Sequence, residues 1–458
     1  MPAKPSSKPK ITEPRDLLIL GGGLVGMTLA LAAAKKGITS HVVDRADPAS
    51  LTADGFDGRA SAISTASWNL FTNIGLAESL EPYGCPIAKI AVTDQLKPGR
   101  IDFAPEEHEG SLGRMFANRQ LRVALFEAAK AEPLIAWHAG VEVVARERGD
   151  HGVSATLADG TVLKGRLMVA AEGRRSPTRE EAGLKIANWQ YNHRAIIAGL
   201  IHSQPHENVA WEIFYPEGPF ALLPMLDDEQ GRHRSALVWT VDEADGDGVL
   251  AMGDRAFIAE VERRMGGIFG DLQANGPRSS YPLGFHHTAK VVDHRLALVG
   301  DAAHGIHPIA GQGLNLGLRD AGALVEVIAQ GKRLGLDPAD PDYDALLFRA
   351  IGVCQSHEVV APAILDRLTR ARDPRARAYA ARVISHWHDR MEHPLEMLAK
   401  LAEDPNGRVR LEAIVACSYL ARAEAMEVAA LAVNHSRNHF HDYALTHAVG
   451  ALGDYWRD

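Results

Sequence analysis

Near the start of the chain an apolar run, residues 15–20, ends in Gly21-Gly22-Gly23-Leu24-Val25-Gly26, and this feature restricts the fold most strongly. Helix-forming residues 27–36 follow, Gly37 stops them, and residues 40–44 are again apolar up to Asp44. The pattern predicts a strand, a tight turn, a helix and a second strand within about 30 residues. In such a unit the first glycine allows the turn, the second lets the backbone approach a pyrophosphate, and the third lets helix and strand pack closely. Leu24 and Val25 then open the helix, whose free N–H groups suit phosphate oxygens. Asp44, followed by Arg45, stands where a carboxylate accepts hydrogen bonds from a ribose. A nicotinamide or a flavin dinucleotide fits this unit equally well.

The rest of the chain narrows the choice. With 458 residues and 46% hydrophobic content the chain has ample material for a core of more than one domain. A net charge of −9 disfavours a nucleic-acid partner. Three cysteines far apart in sequence (Cys85, Cys354 and Cys417) give neither a disulfide framework nor a zinc set, which fits a reducing compartment and predicts a cytoplasmic protein. Residues 1–14 are rich in Pro, Ser and Lys and are expected to be a disordered tail. Residues 153–157 and 162–163 around Asp159-Gly160 read as a hairpin, and 167–170 as a buried strand. Period-two alternation at Ile196/Ala198/Leu200, Phe220/Leu222 and Leu237/Trp239 predicts an antiparallel sheet with one face toward solvent or ligand. No apolar stretch is long enough to span a bilayer; peripheral contact with the inner face of a membrane is left open.

A second motif decides for flavin. Gly300-Asp301-x-x-His304-x-x-His307-Pro308-x-x-Gly311-x-Gly313-Leu314-Asn315 follows a short strand and opens a helix over 314–330. Asp301 can accept from a ribityl hydroxyl, and the Pro308–Asn315 glycines offer N–H groups to the electron-rich end of a flavin. This arrangement resembles the glutathione-reductase-like FAD monooxygenases, and within them the ubiquinone-biosynthesis hydroxylases. Further matches carry the resemblance: Asp57-x-Arg59-x-x-Ala62, Asn118-Arg119-x-Leu121-x-x-x-Leu125, Gly218-Pro219-Phe220-Ala221-Leu222-Leu223-Pro224 and the strand 235–239. One segment departs from the pattern, with Glu172-Gly173 where the family has Asp-Gly. The resemblance spans about residues 14–345.

The resemblance implies an α/β fold in which a Rossmann-type FAD-binding domain (15–75, 101–185 and 286–348) is interleaved with an antiparallel-sheet substrate domain (76–100 and 186–285). It implies FAD as resident cofactor, NAD(P)H or another electron donor as transient co-substrate, and O2 activated at the flavin C4a. The substrate implied is a small aromatic, a prenylated phenol or benzoquinol, with a ubiquinone-biosynthesis complex as a further contact. It places cofactor contacts at Gly21, Gly23, Leu24, Val25, Gly26, Asp44, Arg45, Arg59, Arg119, Glu172, Gly173, Gly300, Asp301, Pro308, Gly311, Gly313, Leu314 and Asn315. Arg59, Phe220, Leu222 and Pro308 are pocket candidates, with plain core packing the competing reading for Phe220 and Leu222. No nucleophile is required, since the flavin carries the chemistry. An epoxidase or prenyl reductase of the same fold, and a scaffold with a vestigial flavin site, are the alternatives. His304 and His307 are read as loop-shaping groups, and no metal site is expected.

Past residue 348 the character changes. Residues 349–458 hold 14 Lys/Arg and 14 Asp/Glu, so the whole of the −9 charge lies before them. Helical patterns cover 364–368, 376–387, 395–401, 409–420 and 425–433. Arg375-x-Arg377-x-x-Ala380 recurs 33 residues later as Arg408-x-Arg410-x-x-Ala413, each after an Asp-Pro pair. This resembles HEAT-like helical repeats, an all-α solenoid segment fitted to a protein partner. A gene fusion, or a chimeric chain, is the competing explanation. Its eight histidines (His357, His386, His388, His393, His435, His439, His441 and His447) show no ligand spacing.

Overall fold

The protein is described from a computed structural model covering residues 11–54, 58–105, 110–306, 311–333, 337–338, 362–370 and 374–456. It divides into two compact units, residues 1–354 and 355–458. Pro308, His307 and Asp57, and much of the segment around residue 348, lie outside the described residues.

The expected strand–helix–strand unit forms the centre of the first unit. Strands Arg15–Leu20 and Ser40–Asp44 pair in parallel, flanked by Val162–Ala170 and Leu296–Leu298 on one side and Ile135–Ala139 on the other. Side chains of Leu17, Leu18, Ile19, Val42, Leu167 and Val169 are buried on both faces, as an all-parallel arrangement requires. Helix Leu24–Ala34 is buried from Gly26 to Ala34 because it lies between this sheet and helix Gln312–Arg333. The hairpin at Asp159-Gly160 joins Gly152–Leu157 to Val162–Ala170. The tail expectation is corrected at its end: Ile11 bridges Val162 and the Thr12 N–H donates to the Val162 carbonyl at 3.0 Å.

His41 on the second strand is buried against His138, their ring nitrogens 3.1 Å apart. Burial lowers the His41 pKa from 6.5 to about 4, with the charges of His138 and Arg15 working the same way. The unfolded chain therefore binds more protons between pH 6.5 and 4. This contribution to stability is complete above pH 6.5 and is lost as the pH falls through that window. Denaturant unfolding across this range is expected to show the loss, and His41→Asn to flatten it.

The second sheet is larger and mostly antiparallel. Its strand order is His304–Gly305, Leu272–Thr288, Ile186–His202, His233–Asp242, Gly218–Met225, Val209–Tyr215, Lys89–Asp94 and Ile101–Phe103. Because Ile101–Phe103 pairs with Lys89–Asp94, the expected domain boundary at residue 100 falls inside this sheet. Likewise His304–Gly305 pairs with Leu272–Thr288, so the flavin-type motif is stitched to the substrate sheet. One face packs on helix Asp254–Met265 through Phe257, Val261 and Met265. A small sheet of Ala60–Ser64, Gly113–Ala117 and Cys85–Ile87 lies in the same unit.

The second unit is helical where described: Pro362–Thr369, Pro374–Trp387, Pro394–Ala402, Gly407–Cys417, Glu424–Ala430, His439–Ala451 and Gly453–Trp456. The repeated arginines explain how consecutive helices are clasped. Arg377 grips both carboxylate oxygens of Asp404 at 2.6 and 2.9 Å. Arg410 donates to the carbonyls of Asp404, Pro405 and Ser436. Burial raises the Asp404 pKa, but the Arg377 guanidinium, the Asn406 N–H and the Arg410 charge together outweigh it and the net shift is downward. No helix among the described residues is long and apolar enough to cross a membrane.

Candidate flavin and substrate site

The glycine turn is built as the sequence requires. Gly21 has φ +107° and its hydrogen faces the Ala171 carbonyl, 2.3 Å from where a Cβ would sit. A Cβ on Gly26 would lie 1.9 Å from the Gly21 oxygen, so helix and turn touch backbone to backbone. Gly23 differs, because a Cβ there meets nothing within 4 Å. It is the N-cap of helix Leu24–Ala34 and no side chain caps that end. The helix N–H groups are therefore left for an outside acceptor, and the open space at Gly23 is where a pyrophosphate can approach. Asp44 closes the turn: its Oδ2 accepts from the Gly22 N–H at 2.6 Å and its Oδ1 from the Ala46 N–H at 2.7 Å. Each oxygen keeps a lone pair for a ribose hydroxyl. Arg45 is exposed beside it.

From this turn a cavity of about 720 Å³ runs to the second sheet. Gly23, Leu24 and Val25 line one end, and Arg59, Gly173, Arg174, Asp301, Gly311, Gly313 and Leu314 line its flank. Helix Gln312–Arg333 begins there, so its positive end faces the space where charge accumulates on a reduced flavin. These features fit FAD: an uncapped helix start, glycine-lined open space at Gly23, and a second helix start at the far end. When bound, FAD supplies the redox and oxygen chemistry. The chain supplies phosphate N–H donors, a ribose acceptor and a shielded pocket.

Several expected contacts are placed otherwise. Glu172 is absent from the cavity wall. Its Oε2 accepts from the Ser176 hydroxyl at 2.6 Å and the Thr178 N–H at 3.1 Å, and its Oε1 pairs with Arg146. The extra methylene relative to Asp reaches this helix start, making Glu172 a cap. Asn315 is 1% exposed and clasps the Ala60–Ser64 strand, accepting from the Ser64 N–H and donating to the carbonyls of Ala62 and Gly311. Arg119 donates to the Thr52 and Ala53 carbonyls and pairs with Asp54, away from the cavity lining. Gly300, φ +59°, packs against Val25 behind the wall. Arg59 does face the cavity.

The pocket candidates Phe220 and Leu222 are also corrected. Both are fully buried on the opposite face, packed with Trp239, Phe257 and Val261. Pro219, Ala221 and Leu223 line the cavity instead. The alternation has the expected period, and of the two readings core packing holds for Phe220 and Leu222, since a one-residue slip exchanges faces. Phe220→Leu is accordingly expected to cost about 1–2 kcal/mol in unfolding experiments and to leave substrate KM unchanged.

Other contributors carried no sequence motif. Tyr281 lines the cavity beside Asp301, Arg59 and Arg174. Burial raises its pKa, Arg174 opposes the rise and Asp301 adds to it. His304 and Asp320 form a buried pair at 2.6 Å beneath the flavin-type turn, and Asp320 also accepts from the Gly300 N–H at 2.9 Å. His304 is thus a loop-shaping group, as expected from sequence. Among the described residues no cluster could hold a metal ion.

A family of FAD binding domains matches residues 15–333. The ubiquinone hydroxylase UbiL of Rhodospirillum rubrum is 44% identical over 355 residues, covering 78% of this chain and 81% of that protein. The 3-demethoxyubiquinol 3-hydroxylase of Escherichia coli is 32% identical over 325 residues, covering 70% and 82%.

The chain belongs to the ubiquinone-hydroxylase family of FAD-dependent monooxygenases.

PqsL from Pseudomonas aeruginosa, a probable FAD-dependent monooxygenase, superposes with a TM-score of 0.62 at 20% identity, covering 80% of this chain and 99% of PqsL. That likeness shows the fold. The vestigial-scaffold alternative is set aside by the family membership and by the uncapped, glycine-lined cofactor space.

Proposed function

We propose that the protein hydroxylates the aromatic ring of a prenylated phenol or benzoquinol, a precursor of ubiquinone, using FAD, a nicotinamide donor and O2. The observation that carries this reading is the continuity of the cavity, which joins the glycine turn and flavin-type loop to a largely apolar sheet face. Ala210, Pro219, Ala221, Leu223, Ala236 and Val238 offer small aliphatic side chains that a ring and its chain can cover. The relatives named above, a ubiquinone hydroxylase and a 3-demethoxyubiquinol 3-hydroxylase, agree with that lining.

In this reading the cofactor lies along Gly21, Gly23, Leu24, Val25 and Gly26, with Asp44 on the ribose, Arg45 near its outer parts, Gly173 and Asp301 toward the ribityl, and Gly311, Gly313 and Leu314 at the ring. Arg59 faces the ring system from the small sheet. The described helices between Pro362 and Trp456 are read as a HEAT-like segment, supported by the Arg377 and Arg410 clasps that tie them together, and as a docking segment for a protein partner. Complementation of bacterial strains blocked at single ubiquinone hydroxylation steps tests the function. Rescue of one step is expected; a folded, flavin-loaded protein that rescues none contradicts it.

A further inference from the structure

The sheet face that closes the cavity is apolar except at three positions. Along Val209–Tyr215 the cavity-facing side chains are Ala210 and Glu212, whereas Ile213 is in the core beneath. Glu212 stands opposite Ala221, and Ala221 opposite Val238, so this carboxylate belongs to a row of short aliphatic groups. Glu212 is 7% exposed. On the neighbouring row Ala195 pairs with Thr240 on one side and Tyr281 on the other. Thr240 is 3% exposed, and its hydroxyl has no hydrogen-bond partner among the described residues. Tyr281 lies at the rim, 41% exposed.

A buried carboxylate is a costly residue for a sheet interior, since an aliphatic side chain fills the same place without desolvating a charge. The dinucleotide half supplies the guanidinium and amide groups of the cavity, from Arg59, Arg174 and Asn118. The substrate half supplies an acceptor in Glu212 and a hydroxyl in Thr240. An ionised carboxylate only accepts hydrogen bonds, so its complement in a ligand is an O–H or N–H donor.

We propose that Glu212 is the substrate anchor: its carboxylate accepts a hydrogen bond from a ring hydroxyl of a phenolic substrate, with Thr240 on the same face as a second polar contact to a ring oxygen substituent. This rests on the ring-hydroxylase reading given above. The anchor fixes which ring edge points toward the cofactor end of the cavity. A hydrogen bond to a carboxylate also raises electron density on the phenolic oxygen and its ortho and para carbons, which favours attack on an electrophilic oxygen. A methyl ether at the same ring position lacks the donor and cannot make this hydrogen bond, which is how a polar site discriminates against a near-isostere.

The test is equilibrium binding of a geranyl-substituted phenol and of its O-methyl ether to the FAD-loaded protein, followed through the flavin absorbance. Turnover with a nicotinamide donor is measured in parallel. The wild type is expected to bind the phenol about tenfold to a hundredfold more tightly than the ether. Glu212→Leu is expected to abolish that preference while keeping affinity for the ether, and Glu212→Gln, which retains an acceptor oxygen, to keep part of it. Thr240→Val is expected to weaken both ligands alike. Equal binding of phenol and ether by the wild type, or an undiminished preference in Glu212→Leu, overturns the proposal. Should Glu212→Leu lose its flavin, a wild-type preference in Glu212→Gln overturns it instead. A phenol preference that depends on Glu212, without ring hydroxylation, supports the anchor and contradicts the ring-hydroxylase reading. Hydroxylation indifferent to Glu212 does the reverse.

Discussion

Gly26→Ala is expected to yield a destabilised protein that purifies without flavin. The added methyl would sit 1.9 Å from the Gly21 oxygen, a backbone atom held by the strand and unable to give way. Helix Leu24–Ala34 must then lift from the turn, disturbing contacts made by nine buried residues of that helix. Overpacking of this kind costs about 3 kcal/mol or more. Gly23→Ala provides the contrast. Its φ of −72° suits any residue and its Cβ meets nothing within 4 Å, so stability is expected to be unchanged. The methyl projects into the space assigned to the pyrophosphate, so FAD retention is expected to fall. Urea unfolding and the flavin absorbance of purified protein separate the two effects. A yellow, stable Gly26→Ala protein contradicts the packing argument, and full flavin retention in Gly23→Ala contradicts the placement of the cofactor.

Asp320→Ala is expected to be equally damaging through a different cause. Asp320 is fully buried, and its Oδ2 accepts from both the Gly300 N–H and His304 Nε2. Removing the buried acceptor leaves each of its donors desolvated and without that hydrogen bond, at about 1–3 kcal/mol apiece. Here two donors are orphaned together. The Gly300–Ala302 turn they hold carries Asp301 to the cavity, so FAD affinity is expected to drop along with stability. Asp320→Asn keeps the size and one acceptor and is expected to lose less than half as much. Unfolding free energies and FAD titration of the apoprotein check both variants; equal stability of Asp320→Ala and wild type contradicts the account.

What the sequence disclosed follows from how local each signal is. The Gly21–Gly26 turn with Asp44 is legible because every constraint acts within one strand–helix–strand unit. The helix start at Gly311–Leu314 is legible for the same reason. The helices after residue 362 follow from periodicity and Asp-Pro starts. The phase of the Gly218–Met225 strand was not legible: Phe220 and Leu222 are as apolar as Ala221 and Leu223, and only helix Asp254–Met265 decides which pair is covered. Glu172 and Asn315 were matched to a motif, but their partners, Arg146 and the Ala60–Ser64 backbone, are distant in sequence. Glu212 did leave a trace, a single charge within the run Val209–Tyr215, whose meaning depends on neighbouring strands.

The most direct test of the central claim is turnover of the purified, FAD-loaded protein with a geranyl-substituted phenol, a nicotinamide donor and isotopically labelled O2. The account predicts a ring-hydroxylated product carrying one labelled oxygen atom, formed only when FAD, donor and O2 are all present. A product whose new oxygen comes from water, or donor oxidation with the ring left unchanged, would contradict it.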